Sequence, residues 1–267
     1  MCIRDRYNAG HGLPFDSDGM KERYPGVFFS QFTGAELVAE KWNLSREDLD
    51  EFALESHQKA ANATESKYFD REILPVEGKN AEGINELVLA DEGIRFDASL
   101  DKLAGLKPVT DGGVITAGNA SQITDGAAAV MICNDAGLKK IQSNPRAEIV
   151  SISVVGDDPV FMLTGPIPAS KKALEAAGLS IDDMDLYEVN EAFAPVPLAW
   201  AHDLEADKSK LNVNGGAMAL GHPLGATGAK LMTTMLHELE RRNGNYALQA
   251  ICEGGGTANA TIIKRLS

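Results

Sequence analysis

Hydrophobic and polar positions in the N-terminal part of the chain predict helices joined by irregular segments. Ser45 and Asp48 have the spacing of a capping box, and apolar residues recur at helical intervals after them, which predicts a helix over residues 46–68. A shorter helix is predicted over residues 34–42. Leucines at helical spacing before a proline predict further helical structure within residues 96–109.

Two short segments of the same region have a strand-like pattern, residues 73–77 and residues 86–89. The chain before Pro25 is rich in glycine, proline and aspartate and has neither a helical nor a strand period. This is an unusual beginning for a domain. We therefore expect the region to be peripheral, and the chain to begin inside a fold.

The pattern becomes more regular in the C-terminal half. An apolar run over residues 126–133 predicts a buried strand, and alternation over residues 147–155 predicts another. Residues 168–177 follow as a helix that Gly178 should end, because glycine readily adopts the left-handed conformation found at helix C-termini. Residues 185–189 then predict a strand. This alternation of strand and helix indicates an α/β fold.

The last part of the chain continues the same alternation. Residues 224–242 carry apolar side chains on one helical face, and residues 247–252 and 258–263 predict two closing strands. No internal repeat or low-complexity tract interrupts them.

Composition excludes several classes of protein. The 25 Lys and Arg against 39 Asp and Glu residues give a formal charge of −14, which opposes binding to nucleic acid or anionic lipid. No apolar run approaches the roughly 20 residues that cross a bilayer, so we expect no membrane insertion. Cys2, Cys133 and Cys252 have no paired short spacing, so we predict no metal site and a reducing, cytoplasmic compartment.

Four compact motifs lie at predicted strand ends or glycine turns, where loops carry reactive groups on a rigid scaffold. Their combination is more informative than any one of them. They are Gly118-Asn119-Ala120-Ser121 with Asp125-Gly126-Ala127, Asn190-Glu191-Ala192-Phe193-Ala194, the glycine-rich segment 215–228, and Cys252-Glu253-Gly254-Gly255-Gly256.

With these motifs in this order and at this spacing, the chain resembles the thiolase family from about Phe15 onward. The resemblance implies an α/β/α/β/α sandwich in which the N-terminal half of the core is missing. It also implies a loop domain over residues 1–123, the last strand and helix of the N-terminal domain over 124–144, and a C-terminal domain over 145–267. The expected reaction exchanges a 3-oxoacyl-CoA plus CoA with an acyl-CoA plus acetyl-CoA, or runs the reverse Claisen condensation.

The same resemblance implies catalytic roles for four residues. Asn190 would hold a catalytic water, His222 would activate a nucleophilic thiol, and Cys252 would be the acid or base at the substrate carbon. An imidazole that takes a thiol proton raises the population of the reactive thiolate. The Gly254 backbone N–H would belong to an oxyanion site, where one fixed donor is worth roughly 3 to 4 kcal/mol.

Coenzyme A is expected as a substrate, with no permanently bound cofactor. By resemblance, Ser121 contacts its pantetheine arm, Arg95 contacts its nucleotide end, and Ala192 and Phe193 form the walls of its tunnel. Ala117 belongs to the same predicted binding set. Other expected partners are acyl-CoA and, in the full-length protein, further copies in a homodimer or homotetramer.

The chain also departs from the family pattern. Nothing around Cys2 resembles the motif of the thiolase nucleophile, so we expect the nucleophilic segment to be missing and the chain to be inactive alone. The segments 30–36 and 156–159, together with Glu253, look more like degradative bacterial thiolases, including those acting on long or steroid-derived acyl chains.

Alternative interpretations remain open. A ketoacyl synthase relative would share the fold, but it lacks the Cys-x-Gly-Gly-Gly base, and a non-catalytic acyl-CoA or lipid-binding thiolase-like subunit would need no nucleophile. Asn190 has the position of a helix N-cap, which would require no chemistry. His57 and the other histidines outside the glycine-rich motif are expected to be solvated.

Overall fold

The computed structural model describes residues 10, 12, 15–79, 82–141 and 143–266. Its helices are α1 Asp18–Arg23, α2 Gln31–Lys41, α3 Arg46–Glu65, α4 Leu100–Ala104, α5 Asp135–Ile141, α6 Pro166–Ala177, α7 Pro195–Asp203, α8 Ala217–Leu220 and α9 Thr227–Arg242. Its strands are β1 Val76–Lys79, β2 Asn85–Val88, β3 Ala147–Gly156, β4 Leu186–Val189, β5 Tyr246–Cys252 and β6 Thr257–Arg265.

The capping box predicted from the sequence begins helix α3. Ser45 Oγ accepts from the Asp48 N–H at 3.2 Å, and Asp48 Oδ2 accepts from the Ser45 N–H at 2.7 Å. The helix then buries Leu49 and Ala53 completely, so its apolar face packs into the core. It ends at Glu65, three residues before the predicted end. Helix α2 begins earlier than predicted because Ser30 caps it.

The C-terminal half forms a four-stranded sheet of order β3-β6-β5-β4. Strand β4 is parallel to β5, and the other pairs are antiparallel. Neighbouring residues of a strand point to opposite faces: Leu248 belongs to the core that contains residues of α6 and α7, whereas Ala247 belongs to the core that contains Met235 and Leu239 of α9. Helices therefore cover both faces, and the predicted α/β organisation is confirmed.

Strand β3 forms one edge of this sheet. Ser151 Oγ and Ser153 Oγ donate to backbone carbonyls of α6 at 2.8 and 2.6 Å, which fixes the inward face of the strand. Ile152 and Val154 consequently point the other way and are 60% and 63% exposed. The edge strand thus presents apolar side chains where a further layer could pack.

The prediction of a buried strand over residues 126–133 is wrong. This segment has no regular secondary structure, and Met131 and Ile132 are 77% and 68% exposed. A strand requires a neighbour that pairs with its N–H and C=O groups. None of the strands in the described ranges pairs with this segment, so its apolar character alone does not make it a strand.

The peripheral part is less regular than the sheet, as expected. Strands β1 and β2 pair antiparallel as a hairpin, with Val76 opposite Val88. The first of them starts three residues later than the predicted segment, and α4 occupies only the centre of residues 96–109. Of the helices in the described residues, none is long and apolar enough to cross a membrane. The described residues also contain no cluster of three or more His, Cys, Asp or Glu side chains suited to a metal ion.

Candidate active site

Backbone hydrogen bonds bring three of the four motifs together. The Ser121 N–H donates to Ala192 O at 3.0 Å, and the His222 N–H donates to Gln122 O at 3.1 Å. The loop after Gly118 therefore runs between the Asn-Glu-Ala-Phe-Ala segment and the glycine-rich segment. Ala120 and Phe193 form an additional bridge at the same crossing.

Asn190 is placed by the sheet. It follows β4, and its N–H donates to Ala250 O of the neighbouring β5 at 3.0 Å, two residues before Cys252. Its side-chain Nδ2 lies 3.3 Å from His222 Nε2. The N-cap interpretation is wrong, because α7 begins only at Pro195 and Ala194 occupies the cap position.

The hydrogen bonds around His222 favour one of its two tautomers. The Thr227 hydroxyl donates its hydrogen to Pro223 O at 3.1 Å, so at 2.7 Å from His222 Nδ1 its oxygen accepts from an Nδ1–H group. Neutral His222 consequently carries its proton on Nδ1 and a lone pair on Nε2. That lone pair accepts from Asn190 Nδ2 at 3.3 Å.

Burial and a nearby cation keep His222 neutral. Desolvation lowers the pKa of His222, and the positive charge of Lys230 lowers it further. An ordinary histidine pKa lies near 6.5, so His222 is predominantly uncharged at pH 7. A neutral imidazole with an unprotonated Nε2 is the form that a general base requires.

Cys252 ends strand β5 and is buried. Burial raises the pKa of its thiol to about 12, and the charge of the adjacent Glu253 contributes in the same direction. At neutral pH the group is therefore a protonated thiol. Gly254 follows two residues later, exposed in the turn that links β5 to β6.

The residues predicted to bind coenzyme A fall into two groups. Ala192 and Phe193 are buried beside the half-buried Ser121, and the Phe193 ring packs edge-on against Phe32 with centroids 5.4 Å apart. Ala117 and Arg95 are exposed. The structure thus brings Ser121, Ala192 and Phe193 together, and leaves Arg95 and Ala117 on the surface.

Glu191 connects three segments of the site, which its position in the sequence did not predict. This buried carboxylate accepts hydrogen bonds from Ser56 Oγ of α3 at 2.7 Å, from Asn212 Nδ2 at 2.9 Å and from the Met218 N–H at 3.1 Å. A Cβ on Gly216 would lie 2.2 Å from its Cδ, so the glycine permits this close approach. The signal in the sequence was a glutamate between a buried strand and an apolar helix.

Other buried polar groups were missed as well. Asn119 donates to Asp50 Oδ1 at 2.9 Å and is completely buried, so it joins its loop to α3. His57 is buried and accepts from the Arg95 N–H at 3.1 Å, contrary to the prediction that it would be solvated. Glu188 of β4 is buried too. His11 and Cys2 lie outside the described residues.

An α/β fold that gathers these motifs at the carboxyl ends of β4 and β5 defines a candidate acyl-transfer site. The family description "Thiolase, C-terminal domain" matches residues 143–265, and "Thiolase, N-terminal domain" matches residues 16–136. The chain belongs to the thiolase family.

Individual relatives agree with this membership. The chain is 55% identical over 244 residues to the steroid 3-ketoacyl-CoA thiolase of Mycobacterium tuberculosis, covering 91% of this chain and 58% of the relative. It is 47% identical to the human mitochondrial 3-ketoacyl-CoA thiolase, covering 86% of this chain and again 58% of the relative. The chain thus spans somewhat more than half the length of these proteins.

Solved structures confirm the thiolase fold. The human mitochondrial 3-ketoacyl-CoA thiolase in complex with CoA superposes with a TM-score of 0.81 at 45% identity, covering 88% of this chain and 58% of that one. The Bacillus anthracis acetyl-CoA acetyltransferase gives a TM-score of 0.86 at 41% identity, covering 91% and 61%.

Proposed function

We propose that this chain carries the proton-transfer residues of a thiolase that exchanges a 3-oxoacyl-CoA plus CoA with a shortened acyl-CoA plus acetyl-CoA. The observation that carries the proposal is the array Thr227–His222–Asn190, in which Asn190 Nδ2 contacts the unprotonated Nε2 of a neutral imidazole. Cys252 ends the strand beside the one that delivers Asn190.

His222 and Cys252 would act at different bonds. His222 Nε2 takes the proton of the nucleophilic thiol, and the thiolate then adds to the 3-oxo carbon of the substrate. The bond between the second and third acyl carbons breaks, and its electron pair becomes the enolate of acetyl-CoA. Cys252 gives its proton to that enolate carbon, and its thiolate is reprotonated when CoA-SH attacks the acyl-enzyme. The bond between the acyl group and the nucleophilic sulfur then breaks, and this sulfur takes back the proton held by His222.

The thiol with a raised pKa suits the thiolysis direction. An enolate carbon is a strong base, so a thiol that ionises only near pH 12 still donates to it. Negative charge on the thioester oxygen would be stabilised by the Gly254 N–H, and at the second oxyanion site by His222 and a water held by Asn190.

Coenzyme A would enter past the crossing of the motif loops. Ser121 would contact the pantetheine arm, while Ala192 and Phe193 would form the apolar wall beside it. Arg95 and Ala117, on the surface, would lie toward the nucleotide end. Exposed cations near phosphates act over roughly 8 Å at physiological salt, so Arg95 can attract CoA despite the acidic chain.

We also propose that the nucleophile does not come from the described residues. Their thiols are Cys133 and Cys252; Cys133 is exposed in the irregular segment, and Cys252 has the proton-transfer role. The chain alone would then show no thiolysis. The second candidate function is a non-catalytic acyl-CoA-binding subunit. It is favoured by the same observation, because such a subunit needs no nucleophilic thiol.

The test compares two proteins in a CoA-dependent assay on 3-oxoacyl-CoA, with products identified by mass spectrometry. One is the 267-residue chain, and the other is this chain joined to the N-terminal thiolase segment of a relative, referred to below as the joined protein. We expect turnover in the joined protein alone. Turnover by the chain alone would show that one of its own cysteines is the nucleophile. Acyl-CoA binding without turnover in both proteins would support the binding subunit.

Two further properties belong to the same proposal. The enzyme would assemble as a homodimer or homotetramer, which light scattering of the joined protein measures. It would act in the cytoplasm, in the degradative direction. The likeness to a steroid 3-ketoacyl-CoA thiolase supports testing long and steroid-derived acyl chains first.

A further inference from the structure

A small polar cavity lies beside Asn190, between β4 and α9. Its volume is about 10 Å³, which is room for about one water molecule. Its polar lining groups are Glu188, Asn190, Thr227, Lys230 and Thr234, and glycine and apolar residues of α8 and α9 complete the wall. We refer to it as the Asn190 cavity.

Several lining groups are buried and unpaired. Asn190 is 1% exposed, and its Oδ1 has no hydrogen-bond donor in the part of the chain that the structure describes. Glu188 is also 1% exposed, and neither of its carboxyl oxygens is paired within the same residues. A buried polar atom without a partner costs roughly 1 to 3 kcal/mol, so three such atoms around one polar cavity indicate a ligand.

The remaining lining groups fix the chemistry of that ligand. Lys230 donates one hydrogen bond to Leu220 O at 3.0 Å, and an ammonium group has two further hydrogens. Thr234 Oγ1 gives its hydrogen to Glu72 at 2.8 Å, so toward the cavity it can only accept. Burial raises the pKa of Glu188 well above its usual range, so its carboxyl can accept and donate. One donor and several acceptors match the hydrogen-bonding capacity of water.

We propose that the Asn190 cavity is a water-binding site, in which one water accepts from Lys230 and donates to Asn190 Oδ1 and to Glu188. Glu188 and Lys230 are then positioning residues. They hold the amide oxygen of Asn190 toward the cavity and its Nδ2 toward His222 Nε2 and the substrate. The site is distinct from the proposed catalytic water, which Asn190 would hold on its Nδ2 side.

The positioning has a clear physical basis. Rotating the Asn190 amide by half a turn would place Oδ1 against the Nε2 lone pair of His222 and the NH₂ group against Lys230, and both contacts repel. The proposed water accepts from Lys230 and donates to Oδ1, so it links the two groups by hydrogen bonds through the cavity. The site itself follows from the cavity alone, whereas its role in turnover rests on the proposed function.

The first experiment needs no activity. A crystal structure of the protein at a resolution that shows ordered water should contain one water in the Asn190 cavity, within hydrogen-bond distance of Asn190 Oδ1. Glu188→Leu should lose this water, while Glu188→Gln should keep it, because the amide oxygen accepts the same hydrogen. A dry cavity in the unmodified protein overturns the site.

The second experiment tests the role by a double-mutant cycle in the joined protein. Glu188→Leu should lower kcat about 10- to 100-fold with little change in KM, because a misplaced Asn190 weakens only the transition state. The same change in an Asn190→Ala background should have almost no effect. Glu240→Leu is the matched control, since Glu240 is a partly buried carboxyl of α9 that does not line the cavity, and its partners Arg71 and Arg146 do not line it either.

The outcomes separate the two proposals. Equal losses from Glu188→Leu in both backgrounds would mean a structural role and would overturn the positioning of Asn190. An ordered water in a protein without thiolysis would contradict the proposed function but leave the water site standing.

Discussion

Replacing Thr227 with valine tests the tautomer of His222 directly. Valine keeps the shape and branching of threonine, so the first turn of α9 should remain intact. The substitution removes the oxygen that accepts from His222 Nδ1 at 2.7 Å and donates to Pro223 O at 3.1 Å. His222 Nδ1–H is then left without an acceptor in a partly buried position.

The size of the effect follows from this lost acceptor. Leaving a buried donor unpaired costs about 1 to 3 kcal/mol, and this penalty falls only on the tautomer with the proton on Nδ1. The alternative tautomer carries its proton on Nε2, where it cannot take a thiol proton. We therefore expect kcat/KM to fall roughly 5- to 150-fold, since about 1.4 kcal/mol corresponds to a factor of ten.

The assay is steady-state thiolysis by the joined protein, with the ring nitrogens of His222 followed by NMR. The Nδ1-protonated form should dominate in the unmodified protein, and the Nε2-protonated form should grow in Thr227→Val. Thr233→Val is a matched control on the same helix, because Thr233 Oγ1 makes the same backward bond, to Ala229 O at 2.8 Å, with no contact to His222.

An unchanged tautomer in Thr227→Val would refute the assignment of the hydroxyl as acceptor. So would a loss of activity of the same size in Thr233→Val, because the effect would then come from the helix and not from the imidazole.

Three further predictions concern the chain and the joined protein. His222→Ala should lower activity by more than the roughly 10²- to 10³-fold expected for one oxyanion donor, because it removes a base as well; a loss below tenfold would make His222 structural. Cys252→Ser should stop thiolysis, because the enolate is no longer protonated, but acetyl-CoA should still acylate the nucleophile, since that step forms no enolate; mass spectrometry measures both, and normal turnover would exclude Cys252 from the mechanism. Burial raises the pKa of Glu72 to about 7, so its contribution to stability is complete below pH 4.5 and is lost as pH rises through about 7. The effect of Glu72→Gln on the free energy of unfolding should therefore be about 2 kcal/mol more stabilising at pH 8 than at pH 4.5, from about 1.4 kcal/mol per pKa unit with a discount for partial exposure. Chemical denaturation of both proteins at both pH values measures this difference. The same effect of the substitution at both pH values would contradict the prediction.

The regular elements could be predicted because their signals are local. The capping box at Ser45 and the apolar stretches that become β5 and β6 are each signals within a few residues. The segment 126–133 has an equally strong apolar signal, yet it is not a strand. Strand formation depends on a partner that the pattern of the segment itself does not specify.

The site could be predicted in part, for a related reason. His222, Cys252 and Asn190 lie in compact motifs, so their positions were accessible from the sequence. The partners of Glu191 come from α3, α8 and a loop, and its nearest hydrogen-bonded side chain, Asn212, is 21 residues away in the sequence. Glu188 lies between apolar residues in the short strand β4. Only the folded sheet shows that both faces of this strand are buried.

The burial of Cys252 has a consequence for chemical damage to the protein. Peroxides and alkylating agents attack thiolates, and a thiol whose pKa is about 12 is ionised in only about one molecule in 10⁵ at pH 7. Cys133 is exposed, so it is the more accessible of the two thiols in the described residues. An oxidant would therefore modify the surface thiol first and leave Cys252, the proposed proton donor, intact.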